Sequence, residues 1–256
     1  MLYQYASDLH IELSGNSRWL KHHPLNVAGE VLLLAGDIHY LGAEGCIKHP
    51  FWDWCADNFE RTIVVPGNHE YYGRYDLFPT LDRWSYPIRS NVKYMNNSVE
   101  RIGNTDLICS TLWSNIRFEN AFVVENGISD FRRVLYDGNR LDFAHFNTAH
   151  ERSVSFVKDA VKESDAESVV VISHHVPSNI LVSDRYKGSP LNDAFVSEQG
   201  NWIADSRIQY WIYGHSHVNI DGCICNTKFL TNQLGYITAD NPEAYGFAKD
   251  KVFELL

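Results

Sequence analysis

Short, nearly continuous apolar runs recur along the chain, with helical or loop segments between them. The runs are LYQYA, VLLLAG, TIVVPG, DLICST, SVVVIS and IQYWIYG. Apolar runs of this length are typical of strands that are buried on both faces, as in sheets covered by helices. The pattern therefore predicts an α/β fold built on buried sheet strands.

A helical spacing marks residues 142–163, where apolar side chains recur every three or four positions. The predicted buried face consists of Phe143, Phe146, His150, Val154, Val157 and Val161. Asp142 stands near the start of this helix, as expected for a helix N-terminus. The stretch CIKHPFWDWCADNF, residues 46–59, predicts a second helix, which Pro50 either starts or kinks.

The rest of the chain is less regular. Three short strand-like pieces, CICNT, KFLTN and KVFELL, follow residue 220 and are separated by Gly, Asn and Pro turns. Residues 113–140 mix arginine, aromatic and acidic side chains and are the least regular stretch, so we expect a lid or cap there. No stretch resembles a flexible linker or an internal repeat. We therefore expect one domain over residues 1–256.

The charge and the cysteine content limit which binding partners and which cellular environment we expect. The 32 acidic and 22 basic side chains give a formal charge of −10, which disfavours loose binding to nucleic acid and favours a compact substrate or a metal ion. Neither a signal peptide nor an apolar run of membrane-spanning length is visible. Five cysteines without CxxC pairs indicate no disulfide framework, and Cys223 and Cys225 are expected on one face of a strand. We expect a reduced, cytoplasmic protein.

Five polar clusters each follow one of the apolar runs. They are SDLH at 7–10, GDIH at 36–39, GNHE at 67–70, SHH at 173–175 and GHSH at 214–217. In open α/β sheets, the loops at the carboxyl ends of strands converge to build a site. The carboxylate, amide and imidazole groups of these clusters are donors that divalent metals accept.

Each cluster taken alone has an ordinary structural explanation. Asp8 is suited to cap nearby backbone amides, and residues 36–37 form a common turn dipeptide. His174 and His175 are equally suited to the edge of the core. All five clusters in one chain are better explained by one shared metal centre.

The order Asp-x-His, Gly-Asp, Gly-Asn-His-Glu, His-His and Gly-His-x-His over residues 8–217 resembles the calcineurin-like metallophosphoesterase superfamily. The pieces TLW at 111–113, DFRR at 130–133 and NQLGY at 232–236 are similar to a bacterial cytoplasmic branch of uncertain substrate. The resemblance implies a four-layer α-β-β-α sandwich of two mixed sheets flanked by helices. It also implies a dinuclear, metal-dependent phosphoesterase.

The same resemblance assigns roles to individual residues. One divalent ion would be held by Asp8, His10 and His217, the other by Asn68, His174 and His215, with Asp37 bridging the two. Asp37, Asn68 and His69 would be the catalytic residues, with His69 protonating the leaving group as general acid. The nucleophile would be a hydroxide that bridges the two ions. Nitrogen and oxygen donors suit Mn, Fe, Zn, Co or Ni, so the identity of the metal stays open.

Residues next to these motifs have less certain roles. We expect Glu70 to orient an imidazole and His175 to be a supporting or substrate contact, since His174 ends the strand and matches the ligand position. Tyr40 stands where the purple acid phosphatases carry an iron-binding tyrosine. We treat it as a non-ligand, because His10 fills that coordination place.

Substrate contacts are open between two interpretations. Arg132 and Arg133 either reach a phosphate, which a guanidinium binds through two hydrogen bonds, or form surface salt bridges. Tyr71, Tyr72 and Trp113 either form an aromatic wall or, as we favour, pack in the core. The sequence gives no indication of the oligomeric state.

Three functions remain to be compared. The leading hypothesis is hydrolysis of small phosphate esters, most of all phosphodiesters. The second is a nuclease acting on DNA or RNA, which the acidic charge disfavours but a local basic groove would permit. The third is a non-catalytic interaction module on the same fold, which the complete ligand set makes the weakest of the three.

Overall fold

Two six-stranded sheets form the centre of the fold. The computed structural model describes residues 1–42, 45–239, 244 and 246–255. The strands are β1 (Leu2–Ala6), β2 (Val31–Ala35), β3 (Arg61–Val65), β4 (Trp84–Arg89), β5 (Val92–Asn96), β6 (Ser98–Ile102), β7 (Thr105–Ser110), β8 (Leu135–Tyr136), β9 (Asn139–Arg140), β10 (Ser168–Ser173), β11 (Tyr210–Tyr213), β12 (Gly222–Ile224), β13 (Thr227–Thr231) and β14 (Val252–Glu254). The α-helices are α1 (Ser14–His22), α2 (Pro50–Asn58), α3 (Ala121–Gly127), α4 (Asp130–Arg133), α5 (Phe143–Glu163) and α6 (Gly200–Ala204).

The two sheets share one layout. The first sheet has the strand order β14-β1-β2-β3-β5-β4, and the second has the order β12-β13-β11-β10-β7-β6. In each sheet the four inner strands run parallel and the strand at either edge is antiparallel. The carboxyl ends of the inner strands therefore lie at one edge of each sheet, where the chain turns into its polar clusters.

Residues on the two faces of each strand enter different hydrophobic cores. Leu33 of β2 packs between the sheets in one core with Ile172 of β10, whereas the next residue, Leu34, packs outward with Trp52 of α2. Val157 of α5 belongs to the core on the outer face of the second sheet. Burial on both faces explains the continuous apolar runs, and the predicted four-layer α-β-β-α sandwich is confirmed.

The two predicted helices are present. Pro50 is the first residue of α2 and does not kink it. Helix α5 begins after Asp142, whose Oδ1 accepts a hydrogen bond of 2.8 Å from the amide of His145. The predicted face of α5 is partly wrong. Its buried residues are Phe146, Ala149, Ser153, Val157 and Val161, whereas Phe143, His150 and Val154 are only half buried.

Other elements had no clear signal in the sequence or differ from expectation. Strands β4, β5 and β6 and helix α1 were not predicted, and β4, at the sheet edge, contains Pro87. Cys223 lies in β12 as expected, but Cys225 lies in the turn after it, where its φ is 46°. The last residue of the KVFELL piece lies outside the described residues.

Residues 113–140 are more regular than the sequence indicated. They contain α3, α4 and the β8–β9 hairpin. Their apolar side chains, among them Trp113 and Phe131, form a hydrophobic core with Phe146 of α5. Within the described ranges, no helix combines the length and the apolar character that crossing a membrane requires.

Candidate metal centre

Five site residues adopt the left-handed backbone region immediately after their strands. The φ angles are 54° at Asp8, 46° at His10, 56° at Asp37, 75° at His215 and 51° at His217. Such a conformation costs a non-glycine residue roughly 1 to 3 kcal/mol, and residues that adopt it concentrate at functional sites. Here the sharp turns aim side chains from β1, β2 and β11 at a common point between the sheets.

The first group of side chains, which we call the His217 cluster, consists of Asp8, His10 and His217. Nε2 of His217 lies 3.1 Å from Nε2 of His10 and 3.2 Å from Oδ1 of Asp8. Nε2 of His10 is 3.7 Å from Oδ2 of Asp37. The three residues of the cluster and Asp37 can each provide one ligand atom to a single ion.

The second group, which we call the His215 cluster, consists of Asn68, His174 and His215. Nε2 of His174 lies 3.1 Å from Oδ1 of Asn68 and 3.1 Å from Nδ1 of His215. The same nitrogen is 3.4 Å from Oδ1 of Asp37. The carboxylate of Asp37 therefore faces the His217 cluster with one oxygen and the His215 cluster with the other.

Backbone carbonyls fix the imidazoles of the His215 cluster. Nδ1 of His174 donates to the carbonyl of Ala35 at 2.9 Å, and Nε2 of His215 donates to that of Ala194 at 3.2 Å. With these tautomers, the other ring nitrogen of each histidine points a lone pair into the cluster. Only acceptor atoms then converge there, and an arrangement of buried acceptors without a hydrogen between them fits a metal cation.

Asn68 is also held with its oxygen inward. Its Nδ2 donates to Oδ1 of Asp130 at 2.8 Å, and the hydroxyl of Tyr72 donates to the same oxygen. Because the amide nitrogen is engaged by Asp130, the amide oxygen faces His174. No role was predicted for Asp130 beyond its place in the DFRR piece, and the structure shows that it orients Asn68.

Burial keeps the imidazoles neutral. It lowers the pKa of His10 and of His174 to about 4, and it holds the pKa of His215 well below its ordinary value. At neutral pH all three rings therefore retain a free lone pair. A neutral imidazole is the form that binds a metal.

The carboxylate of Asp37 is in the opposite situation. Its burial and the nearby carboxylates of Glu70 and Asp8 raise its pKa well above the usual range. A buried carboxylate close to two others is destabilised as an anion unless positive charge accompanies it. Divalent cations on either side of Asp37 would supply that charge.

A glutamate that the sequence interpretation missed connects His10 to His69. Oε1 of Glu12 lies 3.0 Å from Nδ1 of His10 and 3.2 Å from Nδ1 of His69. Burial raises the pKa of Glu12, but the hydrogen bonds from the two imidazoles outweigh this and bring it to about 2. The only sequence signal is its position two residues after His10.

The other ring nitrogen of His69 faces the cavity. Nε2 of His69 is 3.0 Å from the hydroxyl of Tyr236 and 4.0 Å from Oδ2 of Asp37. The ring lies against that of Tyr72, with centroids 4.3 Å apart. The structure thus places His69 beside the cluster and outside its set of converging ligand atoms.

The expectation for Glu70 is wrong. Its carboxylate accepts hydrogen bonds from the backbone amides of Gly67, Asp37 and Ile38, at 2.7, 2.9 and 2.8 Å, and no imidazole of the described residues bonds to it. Burial raises its pKa to about 7. Glu70 therefore holds the loops after β2 and β3 together, and Glu12 has the role that was expected of Glu70.

Position 214 requires a glycine because the surrounding atoms leave no room for a side chain. Its φ lies outside the left-handed region, but a Cβ added there would stand 2.6 Å from Oδ2 of Asp8 and 2.8 Å from the carbonyl of Ala35. Any side chain would therefore displace a residue of the His217 cluster. The adjacent amide of His215 donates to the Asp8 carboxylate at 3.1 Å, which links the two sheets.

His175 lies beneath the His215 cluster and is not one of its converging ligands. Its Nδ1 lies 3.3 Å from the carbonyl of Thr111, and its ring packs beside those of Trp113 and His215, with centroids 5.1 and 4.3 Å away. The side chain is completely buried. The structure therefore brings His174 to the cluster and leaves His175 as packing beneath it.

The clusters open into a cavity of about 660 Å³. Arg133 and Tyr72 line it, and the guanidinium of Arg133 stacks over the Tyr72 ring at 4.4 Å and donates to the hydroxyl of Tyr40. Arg132 instead donates to the carbonyl of Asn126 and lies outside the lining.

Of the three candidate aromatic wall residues, only Tyr72 reaches the cavity. Tyr71 and Trp113 are fully buried and belong to the hydrophobic core under residues 113–140. Tyr71 and Trp113 therefore pack in the core, as we favoured from the sequence, and do not form an aromatic wall.

A family model described as calcineurin-like phosphoesterase matches residues 5–219. The chain belongs to this family and is a metal-dependent phosphoesterase that hydrolyses phosphate esters. The family uses a dinuclear divalent metal centre, and the two clusters that share Asp37 provide the candidate ligands. The hypothesis of a non-catalytic module is therefore wrong.

Individual relatives match along nearly the whole chain. Uncharacterized protein L509 of Acanthamoeba polyphaga mimivirus is 28% identical over 276 residues, covering 94% of this chain and 95% of the relative. The crystal structure of the phosphopantetheinyl hydrolase PptH from Mycobacterium tuberculosis has a TM-score of 0.65 at 16% identity, covering 91% of this chain and 89% of the other. At that identity the likeness shows the shared fold.

Proposed function

We propose that this phosphoesterase acts on small phosphodiesters, with Asp8, His10, Asp37, Asn68, His174, His215 and His217 holding two divalent ions. The observation that carries the proposal is the convergence of acceptor atoms on both oxygens of Asp37, 3.4 Å from His174 and 3.7 Å from His10. When bound, two such ions lower the pKa of water and stabilise charge on the attacking and leaving oxygens. Which metals occupy the site is a question for elemental analysis of the purified protein.

His69 acts as the general acid. Its Nδ1 hydrogen is engaged by Glu12, so the proton available for transfer is on Nε2, the nitrogen that faces the cavity. Donating that proton to the departing alkoxide contributes ~10² to 10⁴-fold in rate. Glu12 stabilises the imidazolium that holds the proton before transfer and keeps the ring in this orientation.

Arg133 binds the phosphate. Its guanidinium is held at the cavity wall by the rings of Tyr72 and Tyr40 and forms no ion pair with a carboxylate among the described residues. A guanidinium that is not paired with a carboxylate is suited to bind two phosphate oxygens.

The lining of the cavity favours a small substrate over a polymer. Among the described residues, Arg133 is the single lysine or arginine that lines it. A nucleic acid is held by many phosphate contacts along a basic groove, which one arginine cannot provide. The alternative of a nuclease is tested by a gel assay for nicking of single-stranded and duplex DNA, in which we expect no cleavage.

The cytoplasmic location remains a prediction from the sequence.

The proposal is tested by metal removal and restoration. The protein is treated with a chelator, and release of p-nitrophenolate from bis(p-nitrophenyl) phosphate and from p-nitrophenyl phosphate is measured before and after Mn²⁺ is added back. We expect chelation to abolish turnover, Mn²⁺ to restore it, and the diester to be preferred. Equal activity with and without metal, or a preference for the monoester, would contradict the proposal.

The role of His69 needs its own variant. For a diester with an unactivated alkoxide leaving group, His69→Asn should lower kcat by ~10² to 10⁴-fold while both metal ions stay bound, because His69 lies outside the ligand set. His22→Asn, at an exposed position on α1, is the matched control and should change neither. Unchanged turnover in the His69 variant would remove the acid role and leave the metal site standing.

A further inference from the structure

A second cavity adjoins the catalytic one. It has a volume of about 230 Å³ and shares Ile128, Tyr186, Phe195 and Ser216 with the catalytic cavity as common walls. Its other apolar walls, which define what we call the apolar pocket, are Val176, Leu181, Val182, Leu191, Val196 and Val218. None of the described residues that line it carries a charge.

The polar side chains in these walls are already engaged. Ser183 and Ser189 each accept a hydrogen bond from the backbone amide two residues further along, at 3.4 and 3.3 Å. Asn192 donates to the carbonyl of Tyr186 at 2.7 Å. The pocket therefore offers a bound group an aliphatic surface and little hydrogen bonding, which suits an apolar substituent.

The pocket is held at a fixed distance from the metal centre. The amide of Val176 donates to the carbonyl of Phe195 at 3.0 Å, and that of Ser197 donates to the carbonyl of Val176 at 2.8 Å. The ring of Phe195 stacks on that of His215, with centroids 4.4 Å apart and 26° between the planes. Phe195 thus forms the wall between the pocket and the His215 cluster.

The imidazole of His69 and the His215 cluster beside the pocket face different oxygens of Asp37. Nε2 of His69 is 4.0 Å from Oδ2 of Asp37, whereas Nε2 of His174 is 3.4 Å from Oδ1. The leaving group departs next to His69, the general acid. The substituent near His215 and Phe195 is therefore the one that stays on phosphorus.

We infer that the apolar pocket binds the retained substituent of a phosphodiester, and that this substituent is a phenyl-sized ring or a short branched aliphatic group. The inference rests on the proposed function. An apolar cavity of about 150 Å³ holds benzene, so a pocket of about 230 Å³ accepts a somewhat larger group. A monoester has no retained substituent, which gives a physical reason for preferring diesters.

The test compares two diesters with the same leaving group, p-nitrophenyl methyl phosphate and p-nitrophenyl phenyl phosphate. We expect kcat/KM to be about 10- to 100-fold higher for the phenyl diester. Equal kcat/KM for both diesters would overturn the inference and leave the proposed function intact. If neither diester is hydrolysed in a metal-dependent way, the proposed function itself fails.

Variants at Val182 test whether the preference comes from this pocket. Val182→Trp fills it and should bring the phenyl-to-methyl ratio of kcat/KM close to one. Val182→Thr keeps the shape and adds a hydroxyl, so it should lower the ratio several-fold with little risk to folding. Ile180→Trp is the matched control, since Ile180 is 55% exposed and does not line the pocket, and it should keep the wild-type ratio.

A binding measurement supplies a readout that is independent of turnover. Calorimetry should show methyl phenyl phosphate binding the metal-loaded protein more tightly than dimethyl phosphate, with a more negative heat-capacity change, as burial of apolar surface requires. Val182→Trp should remove this difference. If both Val182 variants are folded and the preference for the phenyl group persists, the pocket does not bind it and the inference is wrong.

Discussion

The two clusters of the metal centre differ in what holds their imidazoles. In the His215 cluster, His174 and His215 donate to the backbone carbonyls of Ala35 and Ala194, which are neutral and fixed by neighbouring strands and turns. In the His217 cluster, His10 donates to the carboxylate of Glu12, which also contacts the acid His69. A carboxylate raises the basicity of the imidazole it holds, and a carbonyl mainly orients it. The His217 cluster is therefore the one that is coupled to proton transfer.

Exposure separates the clusters as well. In the His217 cluster the side chain of His217 is 24% exposed, whereas in the His215 cluster that of His174 is completely buried. The ring of His215 is covered by that of Phe195 on one side. We therefore expect an ion in the His217 cluster to exchange with solvent more readily than one in the His215 cluster.

The largest effect is expected where the two clusters meet. Asp37→Asn removes the charge that both clusters share, so both ions should be lost and kcat/KM should fall by ~10³-fold or more. Elemental analysis and the diesterase assay measure these changes. Asp57→Asn is the control, because it makes the same chemical change at an exposed position of α2. Retention of both ions in the Asp37 variant would show that Asp37 does not connect the clusters.

The second effect distinguishes one cluster from the other. His215→Ala and His217→Ala should each weaken one metal position, leave the other partly occupied, and lower kcat by roughly 10² to 10³-fold. Only His215→Ala should also destabilise the metal-free protein, by about 2 to 4 kcal/mol, because it leaves a buried gap beside Phe195. Urea unfolding measures this difference. Equal loss of stability in both variants would contradict the comparison.

Much of the fold was predictable because both faces of the inner strands are buried. Runs such as VLLLA in β2 and SVVVIS in β10 have apolar residues on each face, which is the pattern of a strand covered on both sides. The edge strand β4 was not predictable, since its residues are half exposed and Pro87 interrupts it. The buried face of α5 was misjudged because two of its buried residues, Ala149 and Ser153, are small and give no strong hydrophobic signal.

The site was predictable where residue type determines chemistry. Carboxylate and imidazole side chains at strand ends indicated one shared metal centre, and the family resemblance implied its division into two ligand sets. Glu12, Asp130 and Glu70 were missed or misassigned because a carboxylate that orients another side chain has no sequence motif of its own. Its role depends on which amide or imidazole the fold brings within 3 Å, as Glu12 shows with His10.

The third effect follows from the link between Glu12 and His10. Glu12→Gln keeps the size of the side chain and removes its charge, so metal affinity of the His217 cluster should fall about 10- to 100-fold while the His215 cluster keeps its ion. Competition with a fluorescent chelator measures the two affinities. Glu60→Gln, at an exposed position, serves as the control. A loss of equal size at both clusters would show that Glu12 acts on the whole site.

The smallest effect is expected outside both clusters, at Arg133. Arg133→Ala removes a charged hydrogen-bond donor from the cavity wall, so KM for a phosphodiester should rise about tenfold with both ions retained. Arg132→Ala is a close control, because Arg132 is the neighbouring residue of α4 and its guanidinium contacts Asn126 instead. Steady-state kinetics separate KM from kcat. A fall in kcat at unchanged KM would mean that Arg133 acts on the transition state alone, and its assignment to substrate binding would have to be withdrawn.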